Sequence, residues 1–300
     1  MALNVSALAP HVKENASNII TKSLLGLTSN KYVTMQMGIK SSENLNTIIT
    51  SASLQAGACG WSPNGTTTLG KRNIVVADIM VQEALCQKTL ENYLYQLIAK
   101  AGAMGGAEDF VIEDVFVAEK IKTAQVAMEN LIWTGDIAGS SDFIDGFLTV
   151  ATADVVTLGA TNTFTRTASV LDDIDSLLAL LPVGALVGEG LYCYMSVPNY
   201  MALMNEIRDK NWFNIQTGGT QALEFVYPGT NMKVVGMQGF GADNSIMIGN
   251  VKNFILGTDL ANDFEDADFW YSNDNREHRF HMNFRLGTQI AIPAEVVIAV

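Results

Sequence analysis

The chain has 300 residues, of which 48% are hydrophobic and only 16% are charged. This length accommodates two domains or one large elaborated domain, and the apolar content supplies a sizeable core. The net charge of −13 argues against tight binding to duplex nucleic acid, which depends on Lys and Arg neutralising phosphates. So few charges also suggest that other subunits cover much of the surface, although a large enzyme with a big core remains an alternative.

The cysteines and the N-terminus indicate an intracellular protein without a membrane anchor. Cys59, Cys86 and Cys193 are far apart and odd in number, so they predict neither a disulfide framework nor a zinc site. We expect reduced, buried thiols in a cytoplasmic setting. The first residues lack the charged start and apolar core of a signal peptide, and no apolar run approaches the ~20 residues that span a bilayer.

The first third of the chain is predicted to form an arm and a flap. Residues 1–30 have helical spacing after Pro10 and one apolar face with little to pack against it. Residues 46–82 carry two β-rich runs on either side of dense turn chemistry, including Pro63-Asn64-Gly65. We interpret 46–82 as a two-stranded flap with its tip near Asn64. Because such a ribbon is marginally stable alone in water, we expect it to pack on another chain.

A long amphipathic helix is predicted from Glu108 to about Thr134, after a shorter helix that begins near Leu85 and reaches Ile98. Its acidic first turns suit the helix dipole, and Gly135 suits a left-handed C-terminal position. At ~1.5 Å per residue the helix would be ~40 Å long, which a compact enzyme domain seldom needs. An ordinary core helix of an α/β domain is the alternative. The apolar positions follow one helical face: Phe110, Val117, Ile121, Ala124, Met128 and Leu131.

From residue 151 the pattern changes to short, mixed elements. Helices are predicted over 169–181 and from Pro198, and a fully buried central strand over 190–197. Four further strands are predicted at 223–227, 232–237, 245–248 and 254–256. The chain is then expected to return to its first domain at about 265. There, Phe280, Met282, Phe284 and Leu286 alternate with polar residues, which predicts a half-buried strand that is interrupted at 287–288 and resumes to residue 300.

No catalytic, cofactor or metal site is predicted. His278 and His281 would lie on opposite faces of a strand, so they are poor candidates for one metal ion. The glycine-rich 236–241 segment has the wrong order for a dinucleotide fingerprint and opens no helix. Asp172, Asp173 and Asp175 are expected to serve a helix N-terminus rather than a calcium loop. The acidic run 259–277 is interpreted as a solvated face, or at best as a repulsive inner wall of a shell.

The order of these elements resembles the major capsid proteins of tailed phages of the Hong Kong 97 type over nearly the whole chain. Short motifs resemble that family at the end of its long helix, in its Pro-led helix and in the strand after it: Trp133-x-Gly135-Asp136, Asp145-Gly146, Val197-Pro198-Asn199-Tyr200 with Leu203, Arg208-Asp209-Lys210, and 230–237. Three other motifs resemble capsid proteins of crAss-like phages: Cys59-Gly60-Trp61, Lys71-Arg72 and Leu85-Cys86.

The resemblance implies an α+β, Hong Kong 97-like capsid fold and a domain organisation. Residues 1–45 would be the N-terminal arm and 46–82 the extended E-loop. The P-domain would comprise 83–150, with its long spine helix, and the return strands at 265–300. The A-domain would occupy 151–264.

The resemblance also implies the function of a major capsid protein. Such a chain would assemble with itself, as hexamers and pentamers, into an icosahedral head shell that encloses double-stranded DNA without binding it specifically. It would reside in the virion after assembly in the host cytoplasm, with portal, scaffold and decoration proteins as candidate partners and no membrane. It would be no enzyme and need no cofactor. The alternatives are an encapsulin-type compartment and an enzyme on an unrecognised α/β domain.

The tip of the E-loop is the predicted inter-subunit site. Trp is enriched among interface anchors, and a Trp beside a Pro-Asn-Gly turn would otherwise lie in water. Packing of this Trp across its own hairpin is the alternative. Some members of the family join an E-loop Lys to an Asn of a neighbour, but no such Asn or assisting Glu is matched here. The residues expected to contact a neighbour are Trp61, Pro63, Asn64, Lys71 and Arg72.

Overall fold

The computed structural model describes residues 27–51, 53–57, 59, 65–86, 112–139, 142–158, 163–167, 169–210, 223–241, 243–259, 266–275 and 277–300. Its helices are α1 (Ile112–Thr134), α2 (Phe147–Leu158), α3 (Val170–Leu180), α4 (Val183–Val187) and α5 (Val197–Asp209). Its strands are β1 (Thr34–Met37), β2 (Ser42–Ser51), β3 (Thr66–Val75), β4 (Ala77–Cys86), β5 (Thr163–Phe164), β6 (Leu191–Ser196), β7 (Glu224–Val226), β8 (Lys233–Met237), β9 (Ile246–Asn250), β10 (Phe254–Thr258), β11 (Asp266–Ser272), β12 (Glu277–Ile290) and β13 (Val297–Ala299).

The first sheet is built around β12, whose alternating pattern was predicted correctly. β4 pairs with it on one side, while β11 and β10 pair with it on the other, and β1 joins β10 in parallel. Phe280, Met282, Phe284 and Leu286 are buried in one core with Ala124 and Met128 of α1. The predicted interruption at 287–288 is wrong, because β12 continues to Ile290. At Gly287 the strand instead passes so close to the carbonyl of Val75 that a side chain would not fit.

The second sheet has the order β5-β13-β9-β6-β8-β7 and holds the predicted buried strand, β6, near its centre. Cys193 and Met195 of β6 lie in one core with α3 and α5, whereas Tyr194 faces the core that contains α1. The acidic residues at the start of α3 were predicted correctly as part of a helix N-terminus, where Ser169 caps the helix. The carboxylate of Glu206 in α5 also accepts hydrogen bonds from the Val170 and Leu171 amides.

Several boundaries differ from those predicted. The ribbon pairs β2 with β3 and ends at Val75, while β4 leaves it to join the first sheet. Leu85 therefore lies in a strand rather than in a helix, and the rest of that predicted helix falls outside the described residues. The chain re-enters the first sheet at β10, before residue 265, and β13 returns to the second sheet. Hydrophobic periodicity identifies a buried face but not the sheet that covers it.

The thiols also differ from the prediction. Only Cys193 is buried, and burial raises the pKa of its thiol, whereas Cys59 and Cys86 are exposed. The predicted arm helix after Pro10 and the first turn of the long helix lie outside the described residues. Among the helices that are described, none has the combination of length and apolar character needed to cross a membrane.

The two sheets meet at the end of α1 around a fully buried indole. The ring of Trp133 lies 5.3 Å from that of Phe147, 5.1 Å from that of Tyr194 and 5.0 Å from that of Phe240, measured between centroids. Its Nε1–H donates a hydrogen bond of 2.7 Å to Ser29 Oγ. The Trp133 cluster, defined as these four rings, thus joins α1, the second sheet and the segment before β1.

Gly135 is required by close packing rather than by backbone conformation. We predicted a left-handed residue at this helix end, but Gly135 does not have a positive φ. A Cβ at Gly135 would lie 2.5 Å from the Leu131 carbonyl oxygen and 2.6 Å from that of Ile144. Gly146 N–H also donates to the Gly135 carbonyl at 2.8 Å, which holds the returning chain against the helix end.

We therefore predict that Gly135→Ala lowers the free energy of unfolding by about 1–3 kcal/mol, the usual cost of overpacking a core. Urea denaturation followed by circular dichroism measures this change. Gly184→Ala is the matched control, because a Cβ at Gly184 meets nothing within 4 Å. Equal stabilities for the two variants would contradict the close-packing argument.

Candidate assembly surfaces

The β2–β3 ribbon presents a pair of apolar side chains to solvent in its outer half. Ten residues of each strand pair, from Ser42 opposite Val75 to Ser51 opposite Thr66. Ile48 and Leu69 are directly opposite each other, and they are 67% and 75% exposed. A two-stranded ribbon is only marginally stable in water unless a further element packs against its apolar face. The ribbon therefore has a surface suited to burial by another molecule.

The base of the ribbon is fixed to the body by an apolar cluster and by one arginine. Leu45 and Ile74 are buried with Ile39 and Val76. Arg72 Nη2 donates to both carboxylate oxygens of Asp154 in α2 and to Gln289 Oε1 in β12, each at 2.9 Å. The Gln289 side chain in turn donates to the Asn73 carbonyl at 2.8 Å. These contacts hold the ribbon at its base and leave its outer part projecting.

The structure describes two of the five predicted site residues, Lys71 and Arg72, and they have different surroundings. Lys71 is exposed opposite Asn46, and its contact with a neighbour stays a prediction. Arg72 is part of the base rather than the tip, because its guanidinium binds Asp154 within the same chain. The other three lie outside the described residues: Trp61, Pro63 and Asn64. The sequence pattern missed the Ile48–Leu69 pair, because the adjacent apolar residues Ile48 and Ile49 break the alternation that would mark one face of the strand.

The candidate chemical motifs serve packing in this fold. The 236–241 segment ends β8 and enters a 3-10 turn, and a side chain at Gly239 would clash with α1. His278 and His281 pair with different β4 residues on β12, and no cluster of metal-ligating side chains occurs in the described part of the chain. The acidic run 259–277 is not simply a solvated face. Asp259 is buried beside Arg285, and 266–272 form β11.

No protein-family model and no curated protein matches this sequence, but solved structures match the fold. The capsid of the empty GTA particle is 11% identical with a TM-score of 0.58, covering 91% of this chain and 88% of that chain. The procapsid of satellite phage P4, which includes the size determination protein, is also 11% identical, with a TM-score of 0.57 and coverages of 94% and 97%. A virus-like particle from Pyrococcus furiosus is 8% identical, with a TM-score of 0.50 and coverages of 96% and 98%.

These similarities show the fold over nearly the full length of the chain. The predicted α+β, Hong Kong 97-like capsid fold is confirmed. Sequence identity is too low for the likeness to carry more than the fold, and the resemblance to crAss-like phages in particular stays a prediction.

We predict that Arg72→Ala loosens the ribbon, because the substitution leaves the half-buried Asp154 carboxylate without its guanidinium. Hydrogen bonds to charged groups are worth about 1.5–3 kcal/mol. The free energy of opening that amide exchange reports for β2 and β3 should therefore fall by about the same amount. Hydrogen exchange read by mass spectrometry checks this. Lys71→Ala, at the neighbouring exposed position, should leave protection unchanged. Similar exchange in both variants would show that the apolar cluster alone holds the base.

Proposed function

We propose that this chain is the major capsid protein of a tailed phage, which assembles with itself into an icosahedral head shell around double-stranded DNA. The observation that carries the proposal is the projecting ribbon with its exposed Ile48–Leu69 pair, on a fold that the GTA and P4 particles also use for their shells. A monomer would leave that pair in water, whereas a shell subunit buries it on a neighbour.

The proposed organisation follows the resemblance. We propose the same organisation into arm, E-loop, P-domain and A-domain, but with the E-loop ending at Val75, with β4 in the P-domain and with the chain returning to the P-domain at β10. Hexamers and pentamers are the proposed assembly units. Portal, scaffold and decoration proteins are the proposed partners, the virion is the proposed location, and the role is structural rather than enzymatic. The tip residues Trp61, Pro63 and Asn64 are proposed as further contacts to a neighbour.

An encapsulin-type compartment is the second candidate function. It is favoured by the likeness to the virus-like particle from Pyrococcus furiosus. That likeness has a TM-score of 0.50, against 0.57 for the satellite phage P4 procapsid. The contents of particles purified from the native source discriminate the two, since a phage head holds DNA and an encapsulin holds protein cargo.

We predict that the purified chain forms rings, sheets or shells, and that replacing both Ile48 and Leu69 by Ser weakens this assembly while leaving the subunit folded. Sedimentation velocity and negative-stain microscopy measure assembly, and circular dichroism measures folding. Thr67→Ser, on the same ribbon, is the control. A wild-type chain that remains a folded 32.4 kDa monomer at all concentrations and salts would refute the proposed function.

We also predict that isolated capsomers bind DNA weakly and without sequence preference. A subunit of net charge −13 provides little counterion release on contact with phosphates. The expected dissociation constant is above about 1 μM at ~0.15 M salt, where the Debye length is short. Fluorescence anisotropy with a labelled duplex measures it, and submicromolar affinity would contradict the picture of a shell that merely encloses its genome.

A further inference from the structure

A shallow cleft lies on the face of the first sheet that α1 does not cover. Trp270 of β11 is directly opposite Arg279 of β12, which is opposite Ala84 of β4, so the three side chains lie on one face. Trp270 is 43% exposed. The cleft has a volume of about 370 Å³, and Gln82 on the same face completes this side of its lining. Glu83 and Phe280 also line it, although strand alternation directs them to the face that packs on α1. It therefore combines an aromatic wall with a guanidinium, the two side-chain types that most often anchor protein interfaces.

A complementary knob projects from the turn after α1. Phe143 and Ile137 are 60% and 53% exposed, and together they form what we term the aromatic knob. Aspartate carboxylates close to it in the sequence accept hydrogen bonds from the backbone of the turn. Asp142 Oδ2 accepts from the Asp136 amide and Asp145 Oδ1 from the Ile137 amide, each at 3.0 Å. The knob is thus a preformed apolar surface within a negatively charged turn.

The knob and the cleft of one chain lie at opposite ends of the same sheet. The Thr288 hydroxyl donates to the Asp145 carbonyl, which places the turn beside residue 288 of β12. Arg279, in the cleft, is nine residues away on the same strand, or ~30 Å at ~3.3 Å per residue. The two surfaces are therefore unable to meet within one folded subunit, but they could meet between two.

We propose that the aromatic knob of one subunit inserts into the Trp270–Arg279 cleft of a second copy of this chain. Three features support this occupant. An aromatic side chain fits a cleft of this volume beside Trp270. The carboxylates of the turn that holds Phe143 complement the guanidinium of Arg279, because Glu83, the carboxylate in the cleft lining, is already paired with Lys120 of α1. The contact joins two different surfaces, so it is heterologous and propagates from copy to copy until a closed assembly forms. This inference rests on the proposed self-assembly.

Engineered cysteines test the contact directly. In a Cys59→Ser, Cys86→Ser background, we combine Phe143→Cys with Ala84→Cys and treat assembled particles with a mild oxidant. The expected result is a ladder of covalent multimers on a non-reducing gel, because each subunit donates one knob and receives another. Val187→Cys combined with Ala84→Cys is the control, since Val187 is 80% exposed but lies on α4 in the other domain; it should give no ladder.

Substitution at the knob gives an independent measurement. Phe143→Ala should raise the protein concentration needed for assembly by at least about tenfold, as expected for an interface anchor, with unchanged circular dichroism. Particles that form normally in Phe143→Ala, or that give no ladder in the cysteine variant, overturn this inference and leave the proposed function intact. A wild-type chain that does not associate at all overturns both.

Discussion

The burial of the Trp133 indole is the constraint on which the rest of this structure depends. The ring is fully buried, so its N–H needs a partner inside the protein, and Ser29 Oγ supplies one. Ser29 in turn donates through its amide and its hydroxyl to the buried carboxylate of Glu129, one helical turn before the indole. A side chain of α1 thus fixes a segment a hundred residues earlier, and Gly239 is needed where the chain passes against Glu129 and Trp133.

This junction lies within the body of the subunit, whereas the ribbon packs on a separate small cluster, and this division suits a shell subunit. Phe254 of the first sheet lies 5.1 Å from Tyr194 of the Trp133 cluster, measured between ring centroids, and the Tyr194 hydroxyl donates a hydrogen bond of 2.6 Å to the Tyr32 carbonyl. The ribbon lies outside both large cores and is held at its base by Arg72 and four apolar side chains. Stability is therefore concentrated where the domains meet, and the ribbon is left able to adjust to a neighbour.

Local patterns predicted the elements well, while long-range pairing needed the structure. The alternation at 280–286, the acidic cap of α3 and the buried strand at β6 depend on neighbouring residues and on period, so the sequence contains them. The sheet membership of β10 and β13, the exposure of Cys86 and the ion pair of Arg72 depend on partners far along the chain. A position such as Gly135 can require glycine either because its φ is positive or because another group approaches too closely for a side chain. Only the packing in the structure distinguishes these two causes.

The distribution of charge explains why assembly in this chain should depend on apolar and aromatic contacts. Arg72, Arg166 and Arg285 each bind a carboxylate of their own chain, at Asp154, Asp173 and Asp259 respectively. These pairs remove cations from the surface of an already acidic subunit, so copies of net charge −13 repel one another at long range. That repulsion is screened at physiological salt beyond about 8 Å, whereas buried apolar area is not. In the proposed shell, contacts between copies would therefore depend on exposed side chains such as Ile48, Leu69 and Phe143.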